Sequence, residues 1–246
     1  MHKKIPKRGC LITPLWSLKN CYELMVTMNI SEENTLSLFG LLGISLSKIP
    51  ESPEPHCKTP DFEATLTGNR ILVEVKEIRE NPDEKEVLNR FNESNLVSMS
   101  INLDGKRFQK ALSEANHQLK GYSNAKDLCV VAIEDVREFA VRSESPVFEL
   151  HQAMYGEYIS WLGIDDRTIC IDSHGKSRAL SFQKNTSISC AVLILGSKYH
   201  TQVSAVCIHN KFAKNPFPEG VFAKAGYQEY KSELIGKREK LVEINS

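Results

Sequence analysis

The residues able to do chemistry cluster in one stretch, Thr59 to Ile78, which reads TPDFEATLTGNRILVEVKEI. It opens on Pro60-Asp61, passes a turn at Gly68-Asn69, and enters the apolar run Ile71-Leu72-Val73 that ends in Glu74-Val75-Lys76. Side chains alternate across a strand, so Glu74 and Lys76 share one face while Val75 points the other way. A hairpin around the glycine-containing connection brings Asp61, at the start of the first strand, toward Glu74 near the end of the second, although T-G-N-R is not a two-residue Asn-Gly loop. Two carboxylates and an ammonium then converge. Hard divalent cations such as Mg2+ take carboxylate oxygens and keep several waters, so one or two acidic side chains plus a substrate phosphate make an adequate site. A lysine beside such an ion stabilises charge developing on phosphorus, or positions and helps deprotonate an attacking water. On a solvated surface hairpin the same Glu-Lys pair needs no ion, and is worth only about 0 to 1 kcal/mol.

The elements around this stretch must hold it in place. Ser31 reads as the N-cap of a helix, SEENTLSLFGLLGI, with Glu32 and Glu33 in the first turn, where carboxylates complement the helix dipole, and with Leu36, Phe39, Leu42 and Gly43 on its buried face. An earlier helix is expected within Leu11 to Met28, beginning near Ser17. The proline-rich IPESPEPHCKTP, from Ile49 to Pro60, reads as an extended connector, and its His56 and Cys57 make no metal signature. After Lys76 comes a polar excursion with a short helix beyond Pro82. Gly105 then precedes KRFQKALSEANHQLKGY, whose Phe108, Ala111, Leu112, Ala115 and Leu119 recur at helical spacing, with Gly121 as the C-cap. DLCVVAIEDV is a continuous apolar run of the kind found in buried strands.

Further along, VFELHQAMYGEYISWL reads as an amphipathic helix from Val147 to Leu162, and RTICIDSHG as a strand with a turn. SCAVLILG and QVSAVCIHN form a strand pair across a polar SKYHT turn, and the C-terminal GYQEYKSELIGKREKLVEI is helical in tendency. His174, His200 and His209 fall on separate elements, with His209 in a loop at a strand end.

A chain of 246 residues, 41% hydrophobic and 25% charged, can bury a sizeable core as one domain with additions. Its 31 basic and 31 acidic side chains cancel, so binding to a polyanion must rest on a local basic face and on metal in the acidic site. The seven cysteines contain no C-x-x-C pair and read as reduced thiols of a cytoplasmic protein. No apolar segment approaches the roughly 18 residues of a membrane span. The basic start, MHKKIPKRGC, is followed by a stretch that Pro14 and Lys19 interrupt, which argues against a signal peptide. It fits a transit peptide, an arm that touches phosphate, or a solvated tail.

Pro60-Asp61, twelve intervening residues, then Glu74-x-Lys76, followed by a helix and a buried strand, resembles the PD-(D/E)xK nuclease superfamily. The resemblance implies an α/β fold with a central mixed sheet flanked by helices: a basic arm and helix over 1–30, a restriction-endonuclease-like core over 31–136, and an extension over 137–246 that completes the same domain. It implies that Asp61 and Glu74 hold Mg2+, with Mn2+ able to substitute, and that Lys76 assists hydrolysis of a phosphodiester, DNA before RNA. A helix ahead of the Pro-Asp strand contributes another acidic ligand in such enzymes, which points to Glu33, with Glu32 and Glu23 as alternatives. Gln118, followed by Lys120, is similar to the Q-x-K element of some members, and Arg107 and Lys110 on the same helix would meet the DNA backbone. Partners implied are nucleic acid and, for cutting both strands, a second copy of the chain or a larger nuclease assembly. A nuclease-like subunit without chemistry, or a hydrolase using the acidic pair as a plain acid/base couple, are the competing readings.

Overall fold

A computed structural model of the chain describes residues 28–52, 58–94, 105–142, 145–156, 158–162, 169–174, 178–195, 203–235 and 238–245. Internal contacts divide the chain into a short unit, Met1–Ile30, and a main unit, Ser31–Ser246. The helix expected before Met28, the SKYHT turn, and Glu23, His56, Cys57 and His200 lie outside the described residues.

The main unit is α/β. Its elements are α1 (Ile30–Leu41), β1 (Ser47–Lys48), β2 (Phe62–Leu66), β3 (Asn69–Ile78), α2 (Pro82–Ser94), α3 (Lys106–Tyr122), β4 (Leu128–Asp135), α4 (Pro146–Tyr155), β5 (Tyr158–Leu162), β6 (Ile169–His174), β7 (Ile188–Ile194), β8 (Ala205–His209), α5 (Val221–Lys224), β9 (Gln228–Ile235) and β10 (Arg238–Glu243). Eight strands form one mixed sheet in the order β1-β2-β3-β4-β7-β8-β9-β10, and β5 and β6 make a separate antiparallel pair. β3, β4 and β7 run parallel at its centre, and every residue of β4 and β7 is buried, as expected of strands covered on both faces.

Strand alternation assigns each face its cover. Leu72, Ile78, Val131 and Ile133 pack with Phe108, Leu112, Ala115 and Leu119 of α3 and with Leu150, Ala153 and Met154 of α4. The opposite face meets α1, which is tied down by Ser31 Oγ donating to Glu77 Oε1 at 2.7 Å and Asn34 Nδ2 donating to Glu134 Oε1 at 2.7 Å. There Phe39 meets Phe222 edge-on with centroids 6.2 Å apart, and Phe222 in turn meets Phe217 at 5.9 Å.

Several local expectations are corrected. Ser31 does not cap α1 but lies inside it, one residue after its start at Ile30, and the buried face is Ser31, Glu32, Thr35, Leu38 and Phe39 rather than Leu36, Leu42 and Gly43. Gly121 lies inside α3, whose C-cap is Ser123. The hairpin turn is Thr67-Gly68, with Leu66 paired to Asn69. Both turn residues have positive φ (49° and 84°), the pair demanded by a type I′ connection whose twist matches the flanking strands. The helix expected over 147–162 stops at Tyr155, because Gly156 (φ 98°, ψ 164°) breaks it and the following β-prone Tyr158–Leu162 becomes a strand. The C-terminal segment is the antiparallel pair β9 and β10 rather than a helix. β9 pairs parallel with β8, so tertiary pairing overrides the weak helical tendency.

His209 is the last residue of β8, not a loop histidine. Its Nε2 lies 2.6 Å from Glu229 Oε1, and the Glu229 carboxylate also accepts the backbone amides of Gly220, Phe222 and Ala223. These donors hold the Glu229 carboxyl below its ordinary range against the cost of burial. Cys129, Cys190 and Cys207 are buried free thiols. No helix among the described residues is long and apolar enough to cross a membrane.

Gly105 tests the close approach of α3 to α4. It has φ +62°, and a Cβ there would stand 2.9 Å from the Glu149 carbonyl oxygen. Gly105→Ala therefore combines left-handed strain with a backbone clash, and should cost about 1–3 kcal/mol in chemical denaturation. An unchanged midpoint would contradict the packing described.

Candidate active site

The β2–β3 register assembles the chemistry. Phe62 pairs with Val73, and extending the pairing by one residue sets Asp61 across from Glu74. Asp61 Oδ2 accepts the backbone N–H of Val75 at 2.7 Å, which clamps the carboxylate against the strand between Glu74 and Lys76. On the α3 side of β3, Lys76 Nζ donates to Glu74 Oε1 at 2.6 Å and to Gln118 Oε1 at 2.7 Å. Asp61, Glu74, Lys76 and Gln118 are thus brought together from β2, β3 and α3.

Two further side chains join from the neighbouring edge. Lys48 of β1 pairs with Glu32 of α1 and stands 3.6 Å from Asp61 Oδ1, with its ammonium 5.0 Å from the centre of the Phe62 ring. Glu32 is buried, whereas Glu33 is exposed. The helical acid directed at the site is therefore Glu32, one of the alternatives to Glu33, because the 100° step between successive helix residues turns one inward and the other out. Lys48 has no signal in the sequence. It precedes the proline-rich connector, and only the pairing of β1 with β2 carries it beside Asp61. Arg107 is committed elsewhere, to a bidentate pair with Glu84 at 2.8 and 2.9 Å. Lys110 is exposed and stands 3.9 Å from Glu114.

The electrostatics are those of an acidic site short of positive charge. Burial, then the Asp61 charge, push the Glu74 carboxyl up to about 7, although Lys76 opposes both. Burial also raises Asp61, against the Val75 amide and Lys48, while Glu32 adds to the rise. Glu74 is 1% exposed, and its Oε2 is buried with no hydrogen-bond partner among the described residues. Such a group is costly unless something pairs with it.

A hard divalent cation fits this donor set. The orphaned Glu74 oxygen, the Asp61 oxygen turned from the Val75 amide, and their mutual repulsion would all be relieved by one ion. Among the described residues no three His, Cys, Asp or Glu side chains form a ready-made metal cluster. A site of two carboxylates leaves its other positions to water and a substrate oxygen, which suits Mg2+ better than zinc.

No family model, curated protein or solved structure matches the chain.

The raised carboxyls fix a sign. Without metal, the folded state holds the Glu74 proton more tightly than the unfolded chain does, so this stabilising contribution is complete below about 4.5 and is lost as pH rises through about 7. The stability of the metal-free protein should fall between about pH 5 and 8, by on the order of 2 to 3 kcal/mol from this group, and its melting temperature should fall with it. Glu74→Gln should flatten that fall and melt above the parent at the alkaline end. A parent profile that rises across this window would remove the electrostatic account.

Proposed function

We propose that the chain is a metal-dependent phosphodiesterase that cuts nucleic acid, DNA before RNA, with a restriction-endonuclease-like core. The observation that carries this reading is the convergence of Asp61, Glu74, Lys76 and Gln118 around a buried carboxylate oxygen that has no hydrogen-bond partner among the described residues. A surface ion pair has no such orphan and no raised carboxyl.

In this reading Asp61 and Glu74 would hold the ion, and Glu32, paired with Lys48, would add negative charge beside it. When bound, Mg2+ supplies Lewis-acid charge to the scissile phosphate. Lys76 orients the attacking water and places its positive charge toward the pentacovalent phosphorus. Gln118 fixes the Lys76 ammonium through its side-chain carbonyl, so little reorganisation is required as charge develops. Lys48 offsets part of the acidic charge at Asp61 and holds Glu32 at the site.

A nuclease-like subunit without chemistry is the competing reading, favoured by one feature: Lys76 is already paired with Glu74. Metal dependence separates the two. Purified protein should nick supercoiled plasmid or cut one of linear duplex, single-stranded DNA and RNA with Mg2+ or Mn2+, and be silent in EDTA. Asp61→Ala and Lys76→Ala should each lower the rate at least a hundredfold with the fold intact by circular dichroism, in line with loss of a charge-stabilising group. Full activity in Asp61→Ala would refute the assignment, and activity surviving EDTA would favour a plain acid/base hydrolase. A folded protein that binds the ion and cuts nothing would favour the silent subunit.

A further inference from the structure

The helix that supplies Gln118 also lines a second polar feature. Between the C-terminal end of α3 and the loops at 183–187 and 214–215 lies a cavity of about 480 Å³, lined by Asn116, Lys120, Asn124, Lys184, Thr186 and Lys214 among others. Its charged lining comprises Lys120, Lys184 and Lys214 against Asp127 alone. Asp127 is largely occupied, accepting the Asn124 amide at 2.8 Å with Arg70 at 3.6 Å. The three lysines are exposed, and no acidic side chain pairs with any of them among the described residues. A protein with no net charge has here gathered an excess of cations in one concave place.

An exposed aromatic adjoins it. Ser181 and Lys184 exchange backbone hydrogen bonds at 3.0 and 3.1 Å, closing a tight turn with Phe182 and Gln183 at its tip. Phe182 is 85% exposed, and its only ring neighbour among the described residues is Phe212, met edge-on at 4.6 Å. Phe212 is held from below. Tyr155 packs 6.0 Å from it, and the Tyr155 hydroxyl accepts the Lys211 amide at 3.3 Å while donating to the His209 carbonyl at 2.7 Å. The Lys211 ammonium lies 4.9 Å from the centre of the Phe212 ring, and burial together with the Arg178 charge lowers it to about 8, as expected where cations crowd. An aromatic face raised on a rigid turn beside a cationic groove suits a polymer with both planar bases and phosphates.

We infer that the turn 181–184, the loop 211–215 and the Lys120 end of α3 form a docking surface for an unpaired nucleic-acid strand: one base stacks on Phe182, and its neighbouring phosphates lie against Lys120, Lys184 and Lys214. Paired bases offer no free face to Phe182, so a single strand is the occupant, and its phosphates complement the excess cations. The inference rests on the nuclease reading for its purpose and narrows it, naming unpaired strand as the substrate class. The binding itself does not require cleavage.

The test is fluorescence anisotropy in EDTA with labelled oligothymidylate, oligouridylate and a hairpin duplex. The single strand is expected to bind more tightly than the duplex, and the two single-stranded arms tell which polymer is preferred. Phe182→Ala should weaken single-strand binding about tenfold, the usual loss for one stacked base. Phe139→Ala, an equally exposed aromatic at 80% elsewhere on the surface, should not. Replacing Lys120, Lys184 and Lys214 by Ala should reduce the slope of log affinity against log salt by about 2, near 0.7 for each phosphate contact. Unchanged affinity in Phe182→Ala, an equal loss in Phe139→Ala, or a duplex bound as tightly as the single strand would each overturn the inference. Because no cleavage is measured, an inactive protein that binds through Phe182 sinks the hydrolytic reading and leaves this surface standing. An active enzyme indifferent to Phe182 does the reverse.

Discussion

A carboxylate carried to the centre of a sheet is the constraint from which the rest of the site follows. Glu74 sits on β3 between two strands, at 1% exposure, and burial, then the Asp61 charge, raises its proton affinity. Lys76 pairs with one of its oxygens, and the second has no partner among the described residues. Asp61 is brought opposite rather than removed from reach, which makes the repulsion worse. An arrangement that only had to be stable would exchange one of these acids for an apolar or amide side chain. Both are present, and the surrounding bonds hold them in place: the Val75 amide on Asp61, Gln118 on Lys76, and Lys48 between Glu32 and Asp61.

The fold isolates that strain. β3 and β4 are covered by α3 and α4 on one side and by α1 on the other, and the site lies toward the edge made by β2 and the two-residue β1. At the far side of the sheet the turn from β8 into α5 is secured by a different buried carboxylate, Glu229. That one takes three backbone amides and a histidine and is held low instead of high. Glu134 on β4 also has one oxygen bonded, to Asn34, and one without a partner among the described residues, so what sets Glu74 apart is the second carboxylate, Asp61, placed across from it.

Much of this was legible in the sequence, and the exceptions have physical causes. The face shared by Glu74 and Lys76 follows from strand alternation alone, and the five apolar positions of α3 from helical spacing. All five are buried. β4 announced itself as an unbroken apolar run. The misreadings fall where local preference is weak and partners decide: β9 and β10 carry alternating charges that fit either a solvated helix or an edge hairpin, and only β8 beside them selects the strand. Glu32 and Glu33 could not be told apart without the rotation of α1, which depends on Ser31 and Asn34 reaching acids on β3 and β4. Lys48 reaches the site only through the pairing of β1 with β2, and the local turn carrying Phe182 is set against Phe212 by a tertiary contact that no spacing rule reports.

The Thr67-Gly68 turn has a consequence for how this site can vary. Because the loop holds only two residues and its strands pair in antiparallel register, the residue numbers of facing partners keep a constant sum, and Asp61 faces Glu74 only while that sum holds. Lengthening the hairpin adds one residue to each strand. The interval between the two acids can therefore grow or shrink only by even numbers, unless a bulge absorbs the odd residue, since a single insertion would turn one acid to the opposite face of the sheet. Parity, rather than length, is what the connection protects.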